Sequence, residues 1–174
     1  MKKTLLQFTL ICVAALLFFS CKKEKDEPDS SSYISFKMDG VQKNFQAKSV
    51  AVKVTQGELN SIAFTAYQDT ISAEFVYIQV TQKDKPISTG TYMDPGPNSE
   101  DLLVVAGYMP ANQDPVKTYS AGLQEDNNPR LQVTITSLTD KNVTGTFSGT
   151  FYDNDGDGPG TSAVTEGKFS LPLY

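Results

Sequence analysis

From Tyr33 onward the chain alternates with a period of two, and that alternation constrains its fold more than any other feature. Ile34, Phe36 and Met38 interleave with Tyr33, Ser35 and Lys37. Successive side chains of a strand point to opposite faces, so such a run buries one face and wets the other. Asp39-Gly40 follows, a pair able to take positive φ at both central positions of a two-residue hairpin turn. Pairing across that turn sets Met38 opposite Val41 and Ile34 opposite Phe45, with Lys43 the polar exception opposite Phe36.

The pattern recurs. Val50, Val52 and Val54 alternate, as do Ile62, Phe64 and Ala66; Leu131, Val133 and Ile135; Val143, Gly145, Phe147, Gly149 and Phe151; and Gly167, Phe169, Leu171 and Leu173. Phe75 to Val80 and Leu102 to Val105 are apolar at nearly every position, which predicts central strands covered on both faces. Pro172 marks the last run as an edge or a terminus. Gly-Thr-aromatic recurs at residues 90, 145 and 149 with irregular spacing, which argues for glycines where strands bend or pack closely rather than for a repeat. No helical stripe of useful length occurs. Nine or ten short strands separated by turns predict a single all-β domain over residues 33–174: an antiparallel β-sandwich, with an up-and-down, lipocalin-like β-barrel as the alternative. Asp94 to Glu100 is a turn-rich loop. Met109 to Arg130 is long for a loop, and Thr118 to Gly122 is the place where it would hide a strand.

Residues 1–32 have a different character. Lys2 and Lys3 precede a largely apolar run from Leu5 to Phe19. That run suits the apolar part of a signal peptide and is short for a membrane span, which needs roughly 20 apolar residues. Phe18 and Phe19 spoil the small-residue site of a freely secreted protein. Leu17-Phe18-Phe19-Ser20-Cys21 instead resembles a bacterial lipobox, with Phe18 where leucine is more usual. The resemblance implies lipid on the Cys21 thiol, cleavage before it, and residence as an outer-membrane lipoprotein, periplasmic or surface-facing. Two or more acyl chains hold stably where one holds only marginally, at about 0.8 kcal/mol per buried methylene. Residues 21–32 are charged and then serine-rich, the composition of a solvated tether. Its eleven residues from Lys22 reach at most ~40 Å. Lys25-Asp26-Glu27 resembles the short signal that carries some Bacteroidota lipoproteins to the outer face of the outer membrane. The lipobox, the tether, the opening hairpin and the close at Gly145-Thr146-Phe147 and Glu166-Gly167-Lys168-Phe169 together resemble small Bacteroidota envelope lipoproteins of unknown function. That resemblance implies a β-rich envelope protein and no catalytic residues.

Composition narrows function. The chain has 2 cysteines and no histidine. With Cys12 lost in the signal and Cys21 lipidated, no thiol is left for a disulfide, a metal or a nucleophile. Without histidine, the commonest general base and zinc ligand are absent. Cleavage before Cys21 would remove two lysines and no acid, moving the formal charge from −5 to −7. That acidity argues against nucleic acid, whose phosphates need basic patches. Asp153, Asp155 and Asp157, with Gly158, have the spacing that opens a calcium loop. The twelfth position, where a bidentate glutamate belongs, is Val164, and Glu166 comes two residues late, so a plain polar turn is the competing reading. The leading expectation is a non-catalytic module binding a ligand or glycan, with a protein partner as the other prospect. Its surface is expected on the two proline-rich loops flanking Leu102 to Tyr108, with Tyr92, Tyr108 and Tyr119 as stacking groups. The alternative is a structural or accessory subunit of an outer-membrane complex, which an exposed apolar patch or an unpaired sheet edge would favour.

Overall fold

The computed structural model describes residues 32–70, 74–95, 99–111, 117–122, 131–154 and 160–174. Cys21, Asp155 and Asp157 lie outside them. Eleven strands form one antiparallel sheet: β1 (Tyr33–Met38), β2 (Val41–Phe45), β3 (Ala47–Gln56), β4 (Leu59–Tyr67), β5 (Phe75–Lys83), β6 (Gly90–Met93), β7 (Leu102–Met109), β8 (Tyr119–Ala121), β9 (Leu131–Leu138), β10 (Asn142–Asp153) and β11 (Thr161–Pro172). The pairing order is β2-β1-β11-β10-β8-β7-β5-β4-β3, with β9 beside β10 and β6 beside β9. No helix among the described residues is long and apolar enough to cross a membrane.

The opening hairpin has the expected register, Met38 opposite Val41, Phe36 opposite Lys43 and Ile34 opposite Phe45. Asp39 and Gly40 turn it with φ of 50° and 82°. Ile34, Phe36 and Phe45 are fully buried, whereas Val41 is 62% exposed because β2, among the described residues, pairs with β1 alone. β8 is the strand hidden in the long loop. The runs at 75–80 and 102–105 are central in pairing, β5 lying between β4 and β7 and β7 between β5 and β8. Their outer faces are covered less than expected, since Leu103 is 40% exposed. The cover that exists is lateral: Tyr77 occupies the space a side chain at Gly107, its cross-strand partner, would fill.

Two long strands give the sheet its curvature and near closure. One edge of β10 pairs β9 at Val143 to Gly149 and then β8 at Tyr152 and Asp153. One edge of β11 pairs β1 from Val164 to Ser170; beyond it, Tyr174 N–H donates to Ala51 O at 2.9 Å and Lys53 N–H to Tyr174 O at 3.0 Å. β3, the last strand of the path, thus meets the close of β11, just past the stretch that pairs with β1. A bulge at Thr165-Glu166-Gly167 shifts register against both β1 and β10, the local bend that such closure requires. Glu166 sits in it with φ of 54°. β11 is therefore an interior strand, and Pro172 marks its terminus rather than a sheet edge.

Inward side chains meet in one core. Phe64 of β4 stacks on Phe169 of β11 at 4.5 Å between centroids, and Phe36 of β1 meets Tyr108 of β7 edge-on at 5.8 Å. Rings from opposite walls touch, so the barrel is flattened there, and it fits the sandwich description as well as the barrel one.

Candidate functional site

The sheet has two ends with contrasting chemistry. At the first, β4 and β7 finish and β5 begins, as the pairings Tyr67 with Phe75 and Phe75 with Met109 show. Here Glu74 is buried, and its Oε1 accepts from the Tyr108 hydroxyl at 2.7 Å and from Lys43 Nζ at 3.2 Å. Lys43 also lies over the Tyr108 ring, 5.3 Å from its centroid. This resolves the polar exception in β2: Lys43 follows the inward parity of its strand, and its ammonium meets a buried carboxylate there. Tyr119 stacks on Tyr108 at 5.9 Å, and Lys117 Nζ pairs with Asp153 Oδ2 at 3.3 Å. Burial, then the hydrogen bond to Glu74 and its charge, and then the charge of Tyr119 hold the Tyr108 hydroxyl well above the ordinary tyrosine range. Each charge named here is matched within the chain, so the cluster closes this end of the core.

At the opposite end β5 finishes and β7 begins, and the surface is concave. A cleft of about 520 Å³ is lined by Lys53, Ile87, Ser88, Thr89, Leu138, Thr139, Asp140, Leu173 and Tyr174. That volume falls among small-ligand clefts, which run ~300–1,000 Å³. Neither Lys53 nor Asp140 forms an ion pair with any described residue. The walls are pinned by backbone. The Tyr92 hydroxyl donates to Ser88 O at 2.9 Å and accepts from Ser88 N–H at 3.0 Å, clamping the segment 87–89. Thr139 Oγ1 accepts from Asn142 N–H at 3.0 Å and Lys141 N–H at 3.3 Å, which fixes Asp140 at a turn tip. Lys53 is held by the strand-like bond of its N–H to Tyr174.

The expected tyrosine surface is therefore corrected. Tyr92 and Tyr108 are 9% and 4% exposed, core residues whose hydroxyls serve the protein itself. Tyr119, half-buried, joins Tyr108, while Tyr92 lies on the β6–β9 branch and braces the cleft from behind. The two proline-rich loops leave opposite ends of β7, and the start of the first lies beside the close of the second, where Asp94 N–H donates to Leu131 O at 2.8 Å. Of the aspartates proposed for a cation, Asp153 is described and paired with Lys117. The cleft escaped the sequence reading because Lys53, Asp140 and Tyr174 look like ordinary surface residues until the end of β11 crosses to β3. Comparison of the chain with protein-family models, curated proteins and solved structures gives no match.

Proposed function

We propose that the protein is a lipid-anchored, non-catalytic binding module of the bacterial envelope, held at the outer membrane through Cys21 and taking a small polar ligand or glycan. The observation that carries the binding reading is the cleft, where a cation and an anion that pair with no described residue line one concave site with pinned walls. The anchoring reading rests on the lipobox-like Leu17 to Cys21. Its non-catalytic character rests on the absence of histidine and of a thiol after processing. Two measurements test it. Cys21→Ser releases the protein from the membrane fraction, and unchanged sedimentation with membranes rejects the anchor. Screening the full-length protein by NMR against small acids, amines, peptides and sugars shifts resonances of Thr89, Asp140 or Tyr174; silence across the panel rejects the binding site.

A second reading, an accessory subunit of an envelope complex, is favoured by the outer face of β3, β4, β5 and β7. The row Val54, Ser61, Thr81 and Leu103 crosses the four strands, with Val52 and Leu59 beside it. Val52, Val54, Leu59 and Leu103 are 40–50% exposed, an apolar patch of the kind that partners cover. Val54→Lys with Leu103→Lys abolishes co-purification of envelope proteins on this reading and leaves it unchanged on the other.

A further inference from the structure

We propose that the cleft takes a zwitterion, a free amino acid or dipeptide, with its carboxylate on Lys53, its ammonium on Asp140 and its side chain against Ile87, Leu138 and Leu173. The inference rests on the reading of the cleft as a ligand site and names the class of ligand. Among the described residues four side-chain ion pairs, Lys37–Glu166, Lys43–Glu74, Lys83–Glu58 and Lys117–Asp153, match cation to anion within the protein. In the cleft a cation and an anion share one concavity and pair neither with each other nor with any other described residue.

A ligand carrying both charges satisfies both groups at once. A neutral sugar offers each only hydroxyls, which hydrogen-bond to the charges without neutralising them, whereas a zwitterion sets an opposite charge against both. The apolar part of the lining is buried Ile87 and half-buried Leu138 and Leu173, which suits an aliphatic side chain. An extended dipeptide spans about 7 Å between its ends, the scale of a cleft of this volume. The Thr139 turn and the Tyr92 clamp set the walls before any ligand arrives, so little ordering is left for binding to accomplish.

The test titrates the full-length protein with alanyl-leucine, N-acetyl-alanyl-leucine, alanyl-leucine amide and maltose, read by NMR shifts at Thr89, Asp140 and Tyr174. Alanyl-leucine binds, and blocking either end weakens it roughly tenfold. Asp140→Asn abolishes the penalty for acetylation and keeps that for amidation, and Lys53→Met does the reverse. Both side chains are exposed, so both variants keep the wild-type melting temperature. Maltose binding as tightly as the dipeptide, or blocked ends binding as well as free ones, overturns the zwitterion inference while the cleft remains a ligand site. Silence of all four probes overturns it too, and silence of the wider panel overturns the site itself.

Discussion

Tyr108→Phe isolates one hydroxyl in the buried cluster. The ring stays, and with it the contacts to Phe36 at 5.8 Å, Phe45 at 6.1 Å and Tyr119 at 5.9 Å and the approach of Lys43. What goes is a 2.7 Å bond to a carboxylate whose side chain is 8% exposed. Hydrogen bonds to charged groups contribute about 1.5–3 kcal/mol, and Lys43 still pairs with Glu74, so the expected loss is near 2 kcal/mol. For a domain of this size that lowers Tm by roughly 6–10 °C. Urea unfolding followed by circular dichroism measures it at pH 7. The pH dependence supplies an independent check. Tyrosine in the unfolded chain loses its proton near pH 10, whereas Tyr108 in the fold holds on to it well above that. The unfolded state then binds fewer protons, so this contribution is complete below about pH 10 and is lost as pH rises further. Tyr108→Phe removes that increment and flattens the alkaline limb by up to ~1.4 kcal/mol per pH unit. A loss under about 0.5 kcal/mol at pH 7, or identical alkaline slopes in the two proteins, refutes the account of the cluster.

Three further outcomes are expected. Gly145→Ala places a methyl group against the Thr134 carbonyl and the Phe169 ring, so it costs more than about 3 kcal/mol, measured by the same urea titration. Glu166→Gly relieves a left-handed residue and gives up only an exposed bridge to Lys37, so the unfolding midpoint should rise by the equivalent of roughly 0.5–1 kcal/mol. Millimolar calcium leaves Tm unchanged in wild type and in Asp155→Asn, as a plain turn requires; a calcium-dependent rise of several degrees, lost in the variant, restores the cation loop, since a ligand at 100 times its Kd adds about 2.7 kcal/mol.

Much of the fold was legible because period-two alternation and a two-residue turn are local. Asp39-Gly40 set the register of β1 against β2, and even the misfit at Lys43 was visible, though its partner Glu74, thirty-one residues away, was not. Gly145 read as a point of close approach, and the neighbours that crowd it lie on β9 and β11. The tyrosines were legible as amphipathic residues but not as buried ones, because an aromatic ring with a polar tip serves a core and a binding face equally well.

By itself the amino-acid sequence determined the class of fold, antiparallel strands with inner faces legible in most runs though not in β3, whose valines face outward, and the amino-terminal chemistry that suggests a lipid anchor. Tertiary structure alone decided where β10 and β11 exchange partners, how the end of β11 meets β3, and hence which unremarkable residues come together as a cleft. The reason is physical: alternation specifies which face of a strand is buried, while the choice of neighbouring edge depends on twist, bulges and closure, which are properties of the whole sheet.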